Sequence, residues 1–142
     1  MLNFIQGSNG EYTFALPVDG NTQIPVYHAR NDTGPLVKAL IRSSPGKNLM
    51  GYSGFISFDE IAQIWSEKLG KQIKFHRSTV DDLDRAIPGG VGKEIGEMME
   101  YISDPGYFGG QEAAEELGLV KPEELGVSGL TDVRDYLRAL EV

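Results

Sequence analysis

The sequence predicts a mixed α/β (α+β) domain, with a few short strands and about five helices, and residues 1–142 form one domain. Three observations lead there. The first third alternates short β-type runs with Pro/Gly turns. Residues 56–70 carry a full set of helix start and stop signals, followed by an alternating strand. The second half then holds successive apolar stripes at helical spacing. No internal repeat or low-complexity segment interrupts this order.

Glu11-Tyr12-Thr13-Phe14-Ala15-Leu16 alternates weakly and ends in the turn cluster Pro17 to Asn21. Ile24-Pro25-Val26-Tyr27-His28 gives a second extended run, which Pro25 confines to an edge or a strand start. Asp32-Thr33-Gly34-Pro35 reads as a helix start, with Asp32 or Thr33 as N-cap, Pro35 in the first turn, and Leu36, Val37, Leu40 and Ile41 at helical spacing. Ser43-Ser44-Pro45-Gly46 closes that helix, and Asn48 to Tyr52 resumes as a strand.

Ser57 and Glu60 form an S-x-x-E capping box, flanked by Ile56 and Ile61 as a hydrophobic staple. Phe58, Ile61, Ala62, Trp65 and Leu69 make the apolar stripe, and Gly70 is the expected left-handed terminator. Gln72 to His76 then alternates as a half-exposed strand. Thr79-Val80-Asp81-Asp82 starts another helix, which Pro88 stops. Ile95, Met98, Met99 and Ile102 mark the next, Gln111 to Leu117 a weaker acidic one, and Thr131 caps a closing helix bearing Val133, Tyr136, Leu137 and Leu140.

The charge distribution narrows the partners. The chain holds 21 acidic and 13 basic residues, a formal net charge of −8, which argues against a nucleic-acid partner that would need a basic face. Nine of the acids lie in residues 93–124 against only Lys93 and Lys121. That stretch is either a solvated helical face or a docking surface for a basic partner. With no cysteine, disulfides, thiolate nucleophiles and zinc–thiolate sites are excluded. No apolar run reaches membrane-spanning length, and the start at Met1 lacks signal-peptide character, so a cytoplasmic protein without a membrane partner is expected.

Several chemistries are absent from the sequence. Gly89-Gly90-Val91-Gly92-Lys93 lacks the phosphate-loop spacing, no G-x-G-x-x-G occurs, and no metal-ligand cluster has usable spacing, so neither cofactor nor metal is expected. His28 and His76 each end an expected strand, where an imidazole can face a cleft as general acid or base; they are the candidate catalytic residues. Asp32, and the pair Asp81 and Asp82, read as helix-start carboxylates. Tyr52 and Phe55 flank a Gly51/Gly54 turn, and Tyr107-Phe108 stands between Gly106 and Gly109. Aromatics on glycine-rich loops make walls for a small apolar ligand, and Tyr27 joins them as a substrate-binding candidate.

The segments Tyr12 to Pro17, Ile24-Pro25-Val26 and Asp32-Thr33-Gly34 resemble the C-terminal, substrate-binding part of NmrA-like proteins, in the atypical and extended short-chain dehydrogenase/reductase superfamily. Ile56 to Ala62 with Trp65-Ser66 and Leu69-Gly70-Lys71 is similar to that family's helix in the substrate region. Gly106-Tyr107-Phe108-Gly109 and Tyr136-Leu137 fit the same C-terminal pattern, and Met1-Leu2-Asn3-Phe4 resembles the stretch that follows the late helix of the family's Rossmann core. The family's glycine fingerprint and any Tyr-x-x-x-Lys pair have no counterpart here. The resemblance therefore implies a truncated NmrA-like domain without the Rossmann half. Its expected role is a cofactor-independent isomerase, cyclase or lyase of secondary metabolism acting on a small apolar metabolite. A non-catalytic NmrA-like binding protein, or a subunit completed by a separate Rossmann chain, is the alternative. Strand 24–28 would lose its neighbours in such a truncation, so a homodimer or higher oligomer is expected to cover the exposed edges.

Overall fold

The structure, a computed structural model, describes residues 5–6 and 10–140. Met1 to Phe4, which carry part of the resemblance above, lie outside the described residues. The elements run β1 (Ile5–Gln6), β2 (Tyr12–Leu16), β3 (Ile24–Val26), α1 (Ala29–Arg42), β4 (Asn48–Leu49), β5 (Gly54–Ile56), α2 (Phe58–Leu69), β6 (Ile73–Arg77), α3 (Val80–Ala86), α4 (Val91–Ser103), α5 (Gly110–Glu116), β7 (Leu119–Val120), a 3₁₀ turn (Pro122–Leu125) and α6 (Val133–Ala139). The mixed α/β class is as the sequence predicts, with six α-helices among the described residues.

β2 is the centre of a three-stranded sheet ordered β1-β2-β6. It pairs antiparallel with β1 and parallel with β6, in a register that sets Phe14 opposite Phe75 and Ala15 opposite His76. Strand alternation then decides the faces. Ile73 and Phe75 turn toward α2, whereas Lys74 and His76 are exposed. Phe14, Val18, Phe58, Ala62 and Ile73 form the buried core, with Leu16, Ile24, Ile61, Trp65, Phe75 and Met99 packed around it. The Phe75 ring stands edge-on to Phe14 at 5.2 Å and stacks on Phe58 at 5.1 Å, so one side chain joins sheet and helix.

α2 begins and ends where its sequence says. Ser57 Oγ accepts from the Glu60 amide and Glu60 accepts from the Ser57 amide, while Gly70 takes the left-handed φ of 59°. Glu60 is used twice, because it also binds Arg134 at 2.7 Å and so fastens α6 to the start of α2. At the other end Lys68 Nζ donates to the Leu137, Arg138 and Leu140 carbonyls, satisfying acceptors that the end of α6 leaves open.

Other boundaries differ from expectation. α1 starts at Ala29 with His28 as its N-cap, not at Asp32 or Thr33, so Pro35 lies inside the helix. The reason is that imidazole Nδ1 reaches as far as an asparagine oxygen: it accepts from the Asn31 amide at 3.2 Å. β3 consequently stops at Val26, and β5 pairs antiparallel with it. The 24–28 segment thus has the neighbour it was expected to lack, and Phe55 sits on a strand instead of a glycine turn. The strands flanking α2 belong to different sheets. β4 is two residues long and pairs parallel with β7, which the sequence did not suggest. α6 is capped by Asp132, whose side chain accepts from the Arg134 and Asp135 amides, leaving Thr131 free for another role. Ile64 is also buried, on the flank of the expected α2 stripe.

The glycine run 89–93 closes the α3–α4 hairpin. A Cβ on Gly92 would strike the Leu83 carbonyl oxygen and lie 2.6 Å from the Ile87 oxygen and 2.7 Å from the Asp84 Cα; on Gly96 it would lie 2.9 Å from Val80 Cγ1. Glycines one turn apart therefore let the two helix backbones touch. Gly92→Ala should destabilise the fold by roughly 1–3 kcal/mol in urea unfolding, because overpacking against backbone outweighs alanine's better helix propensity. Unchanged or raised stability would refute the close approach.

Candidate functional site

The β3–β5 ribbon and residues 50–55 separate two cavities. The larger, 970 Å³, is lined on one side by Met50, Tyr52 and Phe55 and on the other by Pro105 to Phe108, a volume within the usual range for small-molecule sites. Gly106 and Gly109 take φ values of 110° and 75°, and the Gly109 amide closes onto the Gly106 carbonyl at 2.9 Å. That turn presents Tyr107 and Phe108 with their rings 5.2 Å apart in a T. Facing them, the Tyr52 and Phe55 rings tilt together at 4.7 Å. Four of the five expected aromatic wall residues are thus in one groove, contributed by segments about fifty residues apart in sequence.

The floor is polar at one point. Tyr52 is 9% exposed, and its hydroxyl donates to Glu123 Oε1 and Oε2 at 3.1 and 3.2 Å. Burial, then the Glu123 hydrogen bond and the charges of Glu123 and Glu124, push the phenol up to about 12. Tyr52 therefore remains a neutral donor at any physiological pH. The rim carries Glu115, Glu123 and Glu124 with Lys121. Sequence reasoning did not find these rim residues. Their signal was the acidic 93–124 stretch, but only β7 and the 3₁₀ turn bring its last glutamates back to Tyr52.

The second cavity, 500 Å³, is lined by Tyr27, His28, Arg30, Ser53, Thr131 and Tyr136, with Val26, Val133 and Leu137 as its apolar part. Tyr27 thus lies here and not in the aromatic groove. The His28 ring rests on Tyr136 at 4.8 Å. With Nδ1 accepting from Asn31, the ring proton of neutral His28 belongs on Nε2. His76 lines neither cavity and is exposed on β6. The two histidines are not brought together.

Asp32, 2% exposed, holds this cavity's walls in place. Oδ2 accepts from the His28 amide at 2.8 Å, while Oδ1 accepts from the Thr131 amide at 3.0 Å and hydroxyl at 2.9 Å. Burial raises its pKa, but the Thr131 and His28 amides, the Thr131 hydroxyl and the His28 ring together outweigh that and hold the carboxyl below 3.8. Among the described residues, no group of three or more His, Asp and Glu is placed to hold a metal ion, and no helix is long and apolar enough to cross a membrane.

A parallel β2–β6 pair with α2 packed on it, and a two-stranded ribbon between two cavities, define a small mixed α/β domain. The sequence matches the NmrA-like family over residues 1–137, and the chain belongs to that family. Solved structures share its fold, among them these three. A double mutant of NmrA is 18% identical with a TM-score of 0.61, covering 95% of this chain and 45% of its own. NmrA, a negative transcriptional regulator, in complex with NAD, is 17% identical with a TM-score of 0.57, covering 95% and 44%. A nucleoside-diphosphate-sugar epimerase from Staphylococcus aureus is 19% identical with a TM-score of 0.58, covering 89% and 43%. The chain spans less than half the length of each. No curated protein matches its sequence.

The residues described do not fit a dinucleotide. The glycine run that might have cradled phosphates is committed to helix packing at Gly92, and the larger groove would set three carboxylates against a pyrophosphate.

Two titrations follow from these geometries. Asp32→Asn keeps one acceptor but turns an amide NH₂ toward a backbone N–H, so it should cost about 1.5–3 kcal/mol at pH 7. Because the native carboxyl is depressed, its stabilisation is present above the unfolded value of 3.8 and lost as pH falls through the lower native value. The variant's stability should therefore vary less with pH on the acid side, which urea unfolding from pH 2 to 7 would show. In an ultraviolet titration of the six tyrosines, one should ionise late, near 12, and Tyr52→Phe should remove that component.

Proposed function

We propose that this chain binds a small, largely apolar molecule in the aromatic groove. The observation that supports the reading is the convergence of Tyr52, Phe55, Tyr107 and Phe108 on one 970 Å³ cavity. Apolar walls with a few fixed polar groups are the usual composition of a small-molecule site. The groove holds no histidine, and the hydroxyl of its buried Tyr52 is engaged by the exposed Glu123. The groove is therefore read as a binding surface first.

A catalytic role, as a cofactor-independent isomerase, cyclase or lyase, attaches to the second cavity, and the observation favouring it is His28 at that cavity's wall. Proton transfer there would run through His28 Nε2 alone, with Tyr27 and Tyr136 as orienting hydroxyls. His28→Asn is the discriminating variant, since asparagine caps a helix well but transfers no proton at neutral pH. Any turnover that depends on this cavity should vanish in it while thermal stability is kept.

The groove itself is tested with N-phenyl-1-naphthylamine, a neutral probe that brightens in apolar sites. Saturable binding to one site is expected. Phe108→Ala should weaken it roughly tenfold to a hundredfold, the equivalent of losing one buried aromatic face. Val37→Ala and Ile41→Ala, on the exposed face of α1, should leave it unchanged. Non-saturable binding, or equal loss in all three variants, would discard the reading.

A further inference from the structure

We propose that the aromatic groove selects a hydrophobic cation: an ammonium, protonated or quaternary, carried on an apolar or aromatic body. The inference rests on the groove being a binding site and adds the charge of what it takes. Four aromatic rings supply π-faces, whose negative quadrupole attracts a cation at each ring centre. Around the same cavity stand Glu115, Glu123 and Glu124, against the single cation Lys121. The lining thus carries an excess of two negative charges at neutral pH.

Glu123 is the central group. Its carboxylate is held on the Tyr52 hydroxyl through both oxygens, which fixes a full negative charge beside the Tyr52–Phe55 ring pair. Because Tyr52 remains protonated, that hydroxyl adds no second charge and continues to orient the carboxylate. Glu115 is steadied by Gln111 Nε2 at 2.9 Å, and Glu124 by the Lys121 amide at 2.7 Å. These amide donors fix the carboxylates without neutralising them. An ammonium placed among the rings would therefore meet both π-faces and oriented carboxylates, whereas a phosphate or sulfonate would meet repulsion from the same groups. The acidic 93–124 stretch acquires a purpose here, since three of its nine acids surround the groove.

The test uses the whole chain and three probes of one shape but different charge: benzyltrimethylammonium, neopentylbenzene and phenylmethanesulfonate. Each competes with bound N-phenyl-1-naphthylamine at pH 7 and low salt. The cation should displace the probe at about a tenth of the neutral hydrocarbon's concentration, with the sulfonate weakest. Raising the salt should erode that preference. The double variant Glu115→Gln/Glu123→Gln, which keeps the Tyr52 hydrogen bond available, should reduce the preference to near parity, while Phe108→Ala should weaken cation and hydrocarbon together. Equal displacement by cation and hydrocarbon in the unmodified protein would overturn the charge selectivity and leave the groove standing. So would a preference untouched by the glutamine substitutions. Failure of all three compounds to displace the fluorophore would overturn the binding site itself.

Discussion

Asp32 is a carboxylate sealed inside the protein, and its two oxygens join the start of α1 to the segment just before α6. One oxygen holds the amide of His28, where α1 begins; the other holds both donors of Thr131, just before α6. Burying a charge is costly unless its lone pairs are answered, and here backbone N–H groups and a hydroxyl answer them. That tie holds the entry to α6, and the Glu60–Arg134 pair and the Lys68 carbonyl contacts seat α6 on α2. α2 in turn covers the sheet at Phe58 and Phe75. A single carboxylate thus links the smaller cavity to the main core.

What could be read from the sequence was what short-range geometry determines. The capping boxes at Ser57/Glu60 and Thr79/Asp82 form within one turn of helix, and both are present. The β2 and β6 strands also declare themselves, because alternation is local. The β3–β5 and β4–β7 pairings were not legible, since two- and three-residue strands carry too little pattern and pair over distance. His28 escaped as an N-cap because histidine rarely takes that role, and its reciprocal acid stands four residues on instead of three. Thr131 looked like a cap for the same kind of reason: its neighbour Asp132 takes the cap, and Thr131 turns to Asp32.

The site divides along the same line. Tyr52, Phe55, Tyr107 and Phe108 stood out because apolar rings beside glycines need a surface to line. Which of them share a cavity depends on the chain path between, and that path left Tyr27 on the other side of the β3–β5 ribbon. The rim glutamates were visible only as net charge, since nothing local distinguishes Glu123, which meets Tyr52, from Glu116, which lines neither cavity. For a member of the NmrA-like family spanning less than half of its solved relatives, the side-chain arrangement around these cavities says more about function than the shared fold does.

The Asp32 tie also sets a schedule. Its two ends are 99 residues apart in sequence, so on a ribosome adding about 5–20 residues per second, Thr131 is made roughly 5–20 s after Asp32. For that interval α1 can form with its His28 cap, yet its carboxylate has only one of its three partners and must stay solvated. The smaller cavity cannot close until Thr131 has been made. The β2–β6 sheet and the α2 that covers it are complete by Arg77, so within this stretch the core is made before the surfaces that line the cavities.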